Sequence, residues 1–457
     1  MAIAHSRHGA LQGEQGRGVI RFRGIPYASA TRFGPPTAVP GWTGTLDATH
    51  HGPIGPQPRS RLALAMGDYD RAQAEECLTL TIATPALEGA RPVLVFFHGG
   101  AYWTGAGSLD WYDGGVLAAE NGLVVVGVNY RLGALGFLAH PDLSPGNRGI
   151  EDMEAALAWV QANIASFGGD PANVTVAGQS AGAHAIHVML TRPATRGLFH
   201  RAVLMSGIPR MAPMALGAAA EVAERMAAHL GLPVRGLATA PVAALVEANI
   251  HMVRAFAGFA DIALPLLPAA EGDADAVADP AAFLQAGAEA AASRNVDILI
   301  GATREEMHAF FAPDPGFDAP DPALVAAKFA DLAGSAAAID SYRARRPDGT
   351  LRDLIGDLVT DHMFRLPAEE FAAAARTAGA RVQTYSFDWA APGNKFKACH
   401  CIDLPFLFGN FPQWPDAAML AGGDPAAMHA LSARLRAIVA GFAGGPEPHS
   451  NSHHIFA

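Results

Sequence analysis

Cysteine is scarce. Cys77, Cys399 and Cys401 are the only three in 457 residues, too few for a disulfide framework. The nearest two are spaced C-x-C without a second pair to complete a zinc site, so all three are read as reduced and structural. Lysine is nearly absent: Lys328, Lys395 and Lys397 are the only lysines among 32 basic residues, set against 43 acidic ones and a net charge of −11. That balance excludes a basic nucleic-acid face. No run approaches 18 uninterrupted apolar residues, and the opening MAIAHSRHGALQGEQG lacks the apolar region of a signal peptide. The expectation is a cytoplasmic protein with neither membrane nor nucleic acid as partner.

Apolar material is abundant, 50% of residues against 16% charged, which suits a large core rather than a disordered or fibrous chain. The 49 glycines and 33 prolines indicate many tight turns. By length alone the chain could hold three ordinary domains or one large body. Patterning favours one. Continuous apolar runs recur at 93–97 (VLVFF), 123–130 (LVVVGVNY), 173–178 (NVTVAG), 201–207 (RAVLMSG), 297–302 (DILIGA) and 381–387 (RVQTYSF), as in strands buried on both faces. Helical patterns lie between them, for example at 150–168, where Met153, Ala156, Leu157, Val160 and Ile164 recur at helical spacing. This alternation predicts an α/β class with a largely parallel central sheet flanked by helices. Two Ala-rich stretches without strand runs, about 208–290 and 308–380, read as helical insertions over the carboxyl edge that form a cap and pocket walls. Residues 1–457 are therefore taken as a single domain, with 24–42 a turn-rich opening.

The chemistry centres on Gly178-Gln179-Ser180-Ala181-Gly182. As a bare pattern G-x-S-x-G is unspecific, but here it follows NVTVA and precedes the helix-capable AHAIHVML. That is the strand–turn–helix setting of a nucleophile elbow. The glycines permit a sharp turn, leaving the Ser180 hydroxyl at the carboxyl end of a strand. A second motif, His98-Gly99-Gly100-Ala101, follows VLVFF and exposes backbone N–H groups suited to a tetrahedral oxyanion. By analogy with lipases and esterases the donors are Gly100, Ala101 and Ala181.

A serine needs a base, and the base an orienting acid. His400, in a loop after RVQTYSF, can point at the sheet's carboxyl edge. His184 is a rival four residues from Ser180, but the elbow helix directs it against the sheet. For the acid, Glu305 and Glu306 both follow DILIGA, and spacing does not choose between them. Tyr102, Trp103, Phe310, Phe311, Met363 and Phe364 flank these motifs as candidate pocket walls suited to uncharged acyl and aryl groups.

The whole chain resembles the type-B carboxylesterase family, bacterial p-nitrobenzyl esterases and cholinesterases among them. FRGIPYA (22–28), EECLTL (75–80), HGGAYWTGAGS (98–108), VNYRLGALGFL (128–138), GNRGIEDMEAALAWVQANIASFGGDPANVTVAGQSAG (146–182), LMSG (204–207), IGATREE (300–306) and HCIDLPFLFGN (400–410) carry the likeness in order. It implies an α/β-hydrolase fold and a serine carboxylic-ester hydrolase working through an acyl-enzyme without cofactor or metal. Carbamate or amide hydrolysis is the alternative reading, and a non-catalytic binding protein of the same fold the third. TREEM (303–307) is similar to the family's T-R-D-E-G, which implies Glu306 as the acid, Glu305 as its exposed neighbour, and Met307 in place of a glycine. Ser206 is implied to hydrogen-bond the acid, and Arg32–Glu75 and Arg131–Asp152 to form internal salt bridges. Secreted relatives staple the loop before EECL through a disulfide to the position of Cys77. This chain has no cysteine upstream of it, so 57–75 is expected to be mobile over the site's mouth. The partner is a small-molecule ester, and the chain a monomer or homodimer.

Overall fold

The structure, a computed structural model, describes residues 1–16, 18–271, 278–445 and 452–457. Twelve strands form its main sheet: β1 (Ala2–Ser6), β2 (Gly9–Gly16), β3 (Val19–Pro26), β4 (Thr45–Asp47), β5 (Thr79–Thr84), β6 (Arg91–Phe97), β7 (Val124–Val128), β8 (Gly169–Gln179), β9 (Arg201–Met205), β10 (Asp297–Thr303), β11 (Val382–Phe387) and β12 (His453–Phe456). Their order is β1-β2-β3-β5-β7-β6-β8-β9-β10-β11-β12, with β4 on β2. From β7 to β12 every pairing is parallel, whereas β1, β2, β3 and β5 join antiparallel. All six strands expected from apolar runs are present. The central ones are buried along their length because helices cover both faces.

Register aligns the carboxyl ends. Gly178 sits beside both Phe97 and Leu204, and Met205 beside Gly301. The chain therefore leaves β6, β8, β9 and β10 along one edge, as ligand sites on open α/β sheets require.

The helix at 150–168 spans α1 (Arg148–Asn163) and a 3₁₀ turn, with Met153, Ala156, Leu157, Val160 and Ile164 buried. The elbow helix α2 (Ala181–Thr191) is buried from Ala181 to Leu190. In the stretch 208–290, of which 272–277 lie outside the described residues, α3 (Leu216–His229) and α4 (Val242–Ala255) precede α5 (Pro280–Ser293). Within 308–380, α6 (Leu351–Thr360) runs through a π-helical turn into α7 (Leu366–Ala378). The last helix of each stretch belongs to the body. α5 and α7 pack against each other, and α7 lies on β10 and β11. Phe311, Phe317, Phe329, Tyr342, Leu354 and Leu358 form a separate small core that holds the second insertion together.

Candidate active site

Ser180 stands between β8 and α2 with φ 56° and ψ −121°, a backbone costing roughly 1–3 kcal/mol unless its surroundings enforce it. They do. The Ser180 N–H donates to the Met205 carbonyl (2.8 Å), and the Ser180 carbonyl accepts from His184 N–H (2.9 Å). A Cβ on Gly182 would overlap the Phe97 carbonyl, and one on Gly178 the backbone of Gly182. Glycine at both positions lets α2 start this close to β6 and β8.

Gly100, Ala101 and Tyr102 form an unusual left-handed run at φ 111°, 56° and 67°. The N–H groups of Gly100, Ala101 and Ala181 have no protein acceptor among the described residues, and all three residues line one cavity with Ser180. Tyr102 anchors the loop. Its carbonyl accepts from Gly133 N–H (2.7 Å), and its hydroxyl meets His184 Nδ1 (2.5 Å). His184 Nε2 faces the Met211 carbonyl (2.6 Å), an acceptor only, so Nε2 carries the proton and Tyr102 donates to Nδ1. Burial lowers the His184 pKa to about 4. His184 is thus a neutral strut, with neither nitrogen free to act as a base.

On the facing side Glu306 Oε2 accepts from His400 Nδ1, and Glu306 Oε1 accepts from Thr303 N–H (2.8 Å). Backbone contacts fix their spacing, Glu305 N–H to the Ala398 carbonyl (2.9 Å) and His400 N–H to the Glu306 carbonyl (3.2 Å). His400 Nε2 accepts from Gln179 Nε2 (3.1 Å), and no hydrogen bond joins it to the Ser180 hydroxyl.

Two expectations are corrected here. Glu305 is not exposed but 8% accessible, because Arg346 of the second insertion pairs with it (2.6 Å) and Ala398 N–H donates to it (3.0 Å). Burial alone would raise its pKa, but these partners hold it below the ordinary carboxylate value. Arg346 also meets Asp357 (3.1 Å), and Lys397 pairs with Asp353, so the insertion clamps the histidine loop with charges. Ser206 does not bond Glu306: its hydroxyl is buried without a partner, and both carboxylate oxygens are taken by Thr303 and His400. Met307 needs no glycine conformation, since it begins the helix Met307–Phe311.

The cavity holds about 780 Å³, including space open to solvent at its mouth. Tyr102, Phe310, Met363 and Phe364 line it as expected. Trp103 and Phe311 do not: Trp103 is buried outside the lining, and Phe311 faces away to stack on Phe317 (4.0 Å). Phe310, its neighbour on the same short helix, instead meets the His400 ring at 5.0 Å. Sequence reasoning missed Arg61, Tyr69, Trp111 and Tyr112 in the lining. It also missed Asp403, whose pKa rises to about 7 through burial and the Glu306 charge. Nothing in the local sequence marks the four lining positions, whereas Asp403 stands three residues after His400 in the HCIDLPFLFGN block.

The segment 57–75 has no covalent staple, yet polar contacts secure it. Gln57 Oε1 accepts from the Tyr69 hydroxyl (2.7 Å) and from Gly105 N–H (2.6 Å), and Ile54 bridges Gln73. All three cysteines are buried and free. The salt bridges Arg131–Asp152 (2.7 Å) and Arg32–Glu75 (2.5 Å) are formed.

A sheet of this order, with a strained serine on a strand–turn–helix and a histidine–carboxylate pair at the same edge, is an α/β-hydrolase fold. The chain belongs to the carboxylesterase family, whose model matches residues 2–454. It is 39% identical over 439 residues to a probable N-octanoylanthranilate hydrolase of Rhodococcus erythropolis (94% of this chain, 89% of the relative). It is 35% identical to the phenmedipham hydrolase of Pseudarthrobacter oxydans (93% and 86%) and 35% identical to the para-nitrobenzyl esterase of Bacillus subtilis (89% and 83%). Among solved structures, the Geobacillus stearothermophilus carboxylesterase EST55 superposes with TM-score 0.84 at 32% identity (98% of this chain, 91% of that one). The protein is a carboxylic-ester hydrolase.

Proposed function

We propose that Ser180 is the nucleophile, His400 the general base and acid, and Glu306 the group that orients His400. The observation that carries this reading is one cavity lined by the strained serine, the paired imidazole and three unbonded N–H groups. With Nδ1–H committed to Glu306, Nε2 holds the lone pair that takes the Ser180 proton as the oxygen attacks the ester carbonyl. To do so, Nε2 exchanges the Gln179 amide for the serine hydroxyl, a shift that substrate binding brings about. Gly100, Ala101 and Ala181 N–H groups hold the oxyanion, where a single lost donor costs roughly 10²–10³ in kcat. The alcohol leaves with the proton from His400, and water repeats the cycle on the acyl-enzyme.

A second reading, hydrolysis of anilides or carbamates by the same residues, is favoured by the relatives whose names specify N-octanoylanthranilate and phenmedipham. Matched ester, anilide and carbamate substrates rank the two. For the first, Ser180→Ala is expected to lower p-nitrophenyl butyrate turnover by about 10⁶ and to abolish labelling by a fluorophosphonate probe. Labelling that survives in the variant would overturn the assignment of Ser180.

A further inference from the structure

One charge in the cavity is unaccounted for. Arg61 lines it on the segment before Leu62, half-buried, with no carboxylate partner among the described residues. Its neighbour Arg59, two residues earlier, is exposed and paired with Asp68 (2.6 Å), so the segment turns one arginine outward and the other in. The inward guanidinium packs on the face of Phe310, its Cζ 5.0 Å from the ring centroid. The same ring also neighbours His400, their centroids 5.0 Å apart. Burial lowers the Arg61 pKa to about 10, which leaves it charged at neutral pH.

A cation withdrawn from water is costly unless an anion answers it, and a cation–π contact answers it only in part. A partly desolvated, unpaired charge inside a reaction cavity therefore marks a ligand position. The position has a direction. The leaving oxygen must come within reach of His400 Nε2 to receive its proton, and Arg61 and His400 contact the same Phe310 ring, which points to the leaving-group side. Guanidinium also has the planar fork that matches a carboxylate with two parallel hydrogen bonds.

We propose that Arg61 forms a carboxylate-binding subsite at the leaving-group end of the cavity, making aryl substrates whose leaving group carries a carboxylate preferred over neutral ones. The proposal rests on the ester-hydrolase reading and adds a charged position to an otherwise apolar lining. It also opposes a cationic leaving group, although Tyr69, Trp111 and Tyr112 place aromatic surface nearby.

The test uses the full chain and two matched esters, 3-(hexanoyloxy)benzoate and 3-(hexanoyloxy)benzamide. Wild type is expected to show at least about tenfold higher kcat/KM for the carboxylate ester at low salt, chiefly through KM. That preference shrinks as sodium chloride is raised. Arg61→Met removes it, and Arg61→Lys, which keeps charge without the fork, retains a part. Equal kcat/KM for the two esters in wild type, or a preference that survives Arg61→Met, overturns the proposal. So does an Arg61→Met variant that loses both esters in equal proportion, since that marks a purely structural residue. Turnover of the benzamide ester by wild type keeps the esterase reading standing in every one of these cases.

Discussion

The two halves of the site are made of different materials. The nucleophile half is backbone: Ala101, Tyr102, Ser180 and Ser206 all sit at φ between 47° and 67°, glycines touch carbonyls, and no ionised side chain takes part. The acid–base half is charge: Glu306 with His400, Glu305 with Arg346, Asp353 with Lys397, and Asp403 behind them. Steric fit fixes the first once the sheet is formed, and it cannot be tuned. The second is held by groups whose strength depends on protonation and on an insertion far away in sequence. The first half should therefore respond to added bulk and ignore pH, and the second should do the reverse.

Of the tests that bear on this contrast, the one with the largest expected effect falls on the charged half. Glu306→Gln keeps an oxygen for Thr303 N–H but removes the charge that selects the His400 tautomer, so kcat for p-nitrophenyl butyrate should fall by about 10³–10⁴. A loss of less than tenfold would take the orienting role from Glu306. Next comes the backbone half: Gly182→Ala drives a methyl into the Phe97 carbonyl, which cannot move aside. It should cost about 3 kcal/mol and, for a chain of this length, lower Tm by about 3 °C, equally at pH 6 and pH 9. A Tm penalty that changes with pH would break the contrast.

The smallest effect is Asp403→Asn. The folded pKa of Asp403, about 7, lies above the unfolded value near 4, so folding disfavours its ionised form. The native state loses stability as pH rises from about 4 to about 7, carries the full penalty above 7, and is relieved of it as pH falls back toward 4. Asn carries no such penalty and no repulsion toward Glu306. The variant should be more stable than wild type by about 1 kcal/mol at pH 8.5, with the difference narrowing below pH 7 and closing near pH 4 in thermal melts. An unchanged difference across that range would remove Asp403 from the electrostatics of the site.

Much of this was legible in the sequence because parallel core strands write themselves as continuous apolar runs, as at 93–97 and 297–302. The elbow and the loop at 98–101 were legible for a similar reason: crowding that admits only glycine leaves glycine behind. The antiparallel strands β1, β2, β3 and β5 were not. β1, β2 and β3 are partly exposed and interrupted by Arg21, Arg23 and several glycines, and β5 (TLTIAT) is short and half threonine, so their pattern does not rise above that of turns. The burial of Glu305 depends on Arg346, 41 positions on, which no local pattern reports. Phe310 and Phe311 are adjacent aromatics whose facing is decided by a five-residue helix, too short for periodicity to separate them. Nothing in its local sequence separates Arg61 from Arg59, and its meaning comes only from what surrounds it.

The Phe310 ring, in contact with both His400 and Arg61, bears on how such an enzyme can diverge. A substitution there perturbs the proton shuttle and the charge position together, so selection acting through position 310 would trade turnover against preference. Position 61 lies on a surface segment outside the sheet and touches the shuttle only through that ring. Replacements at 61 can thus be sampled while the proton shuttle is left in place, which makes it the natural first address for redirecting this scaffold toward substrates of another charge.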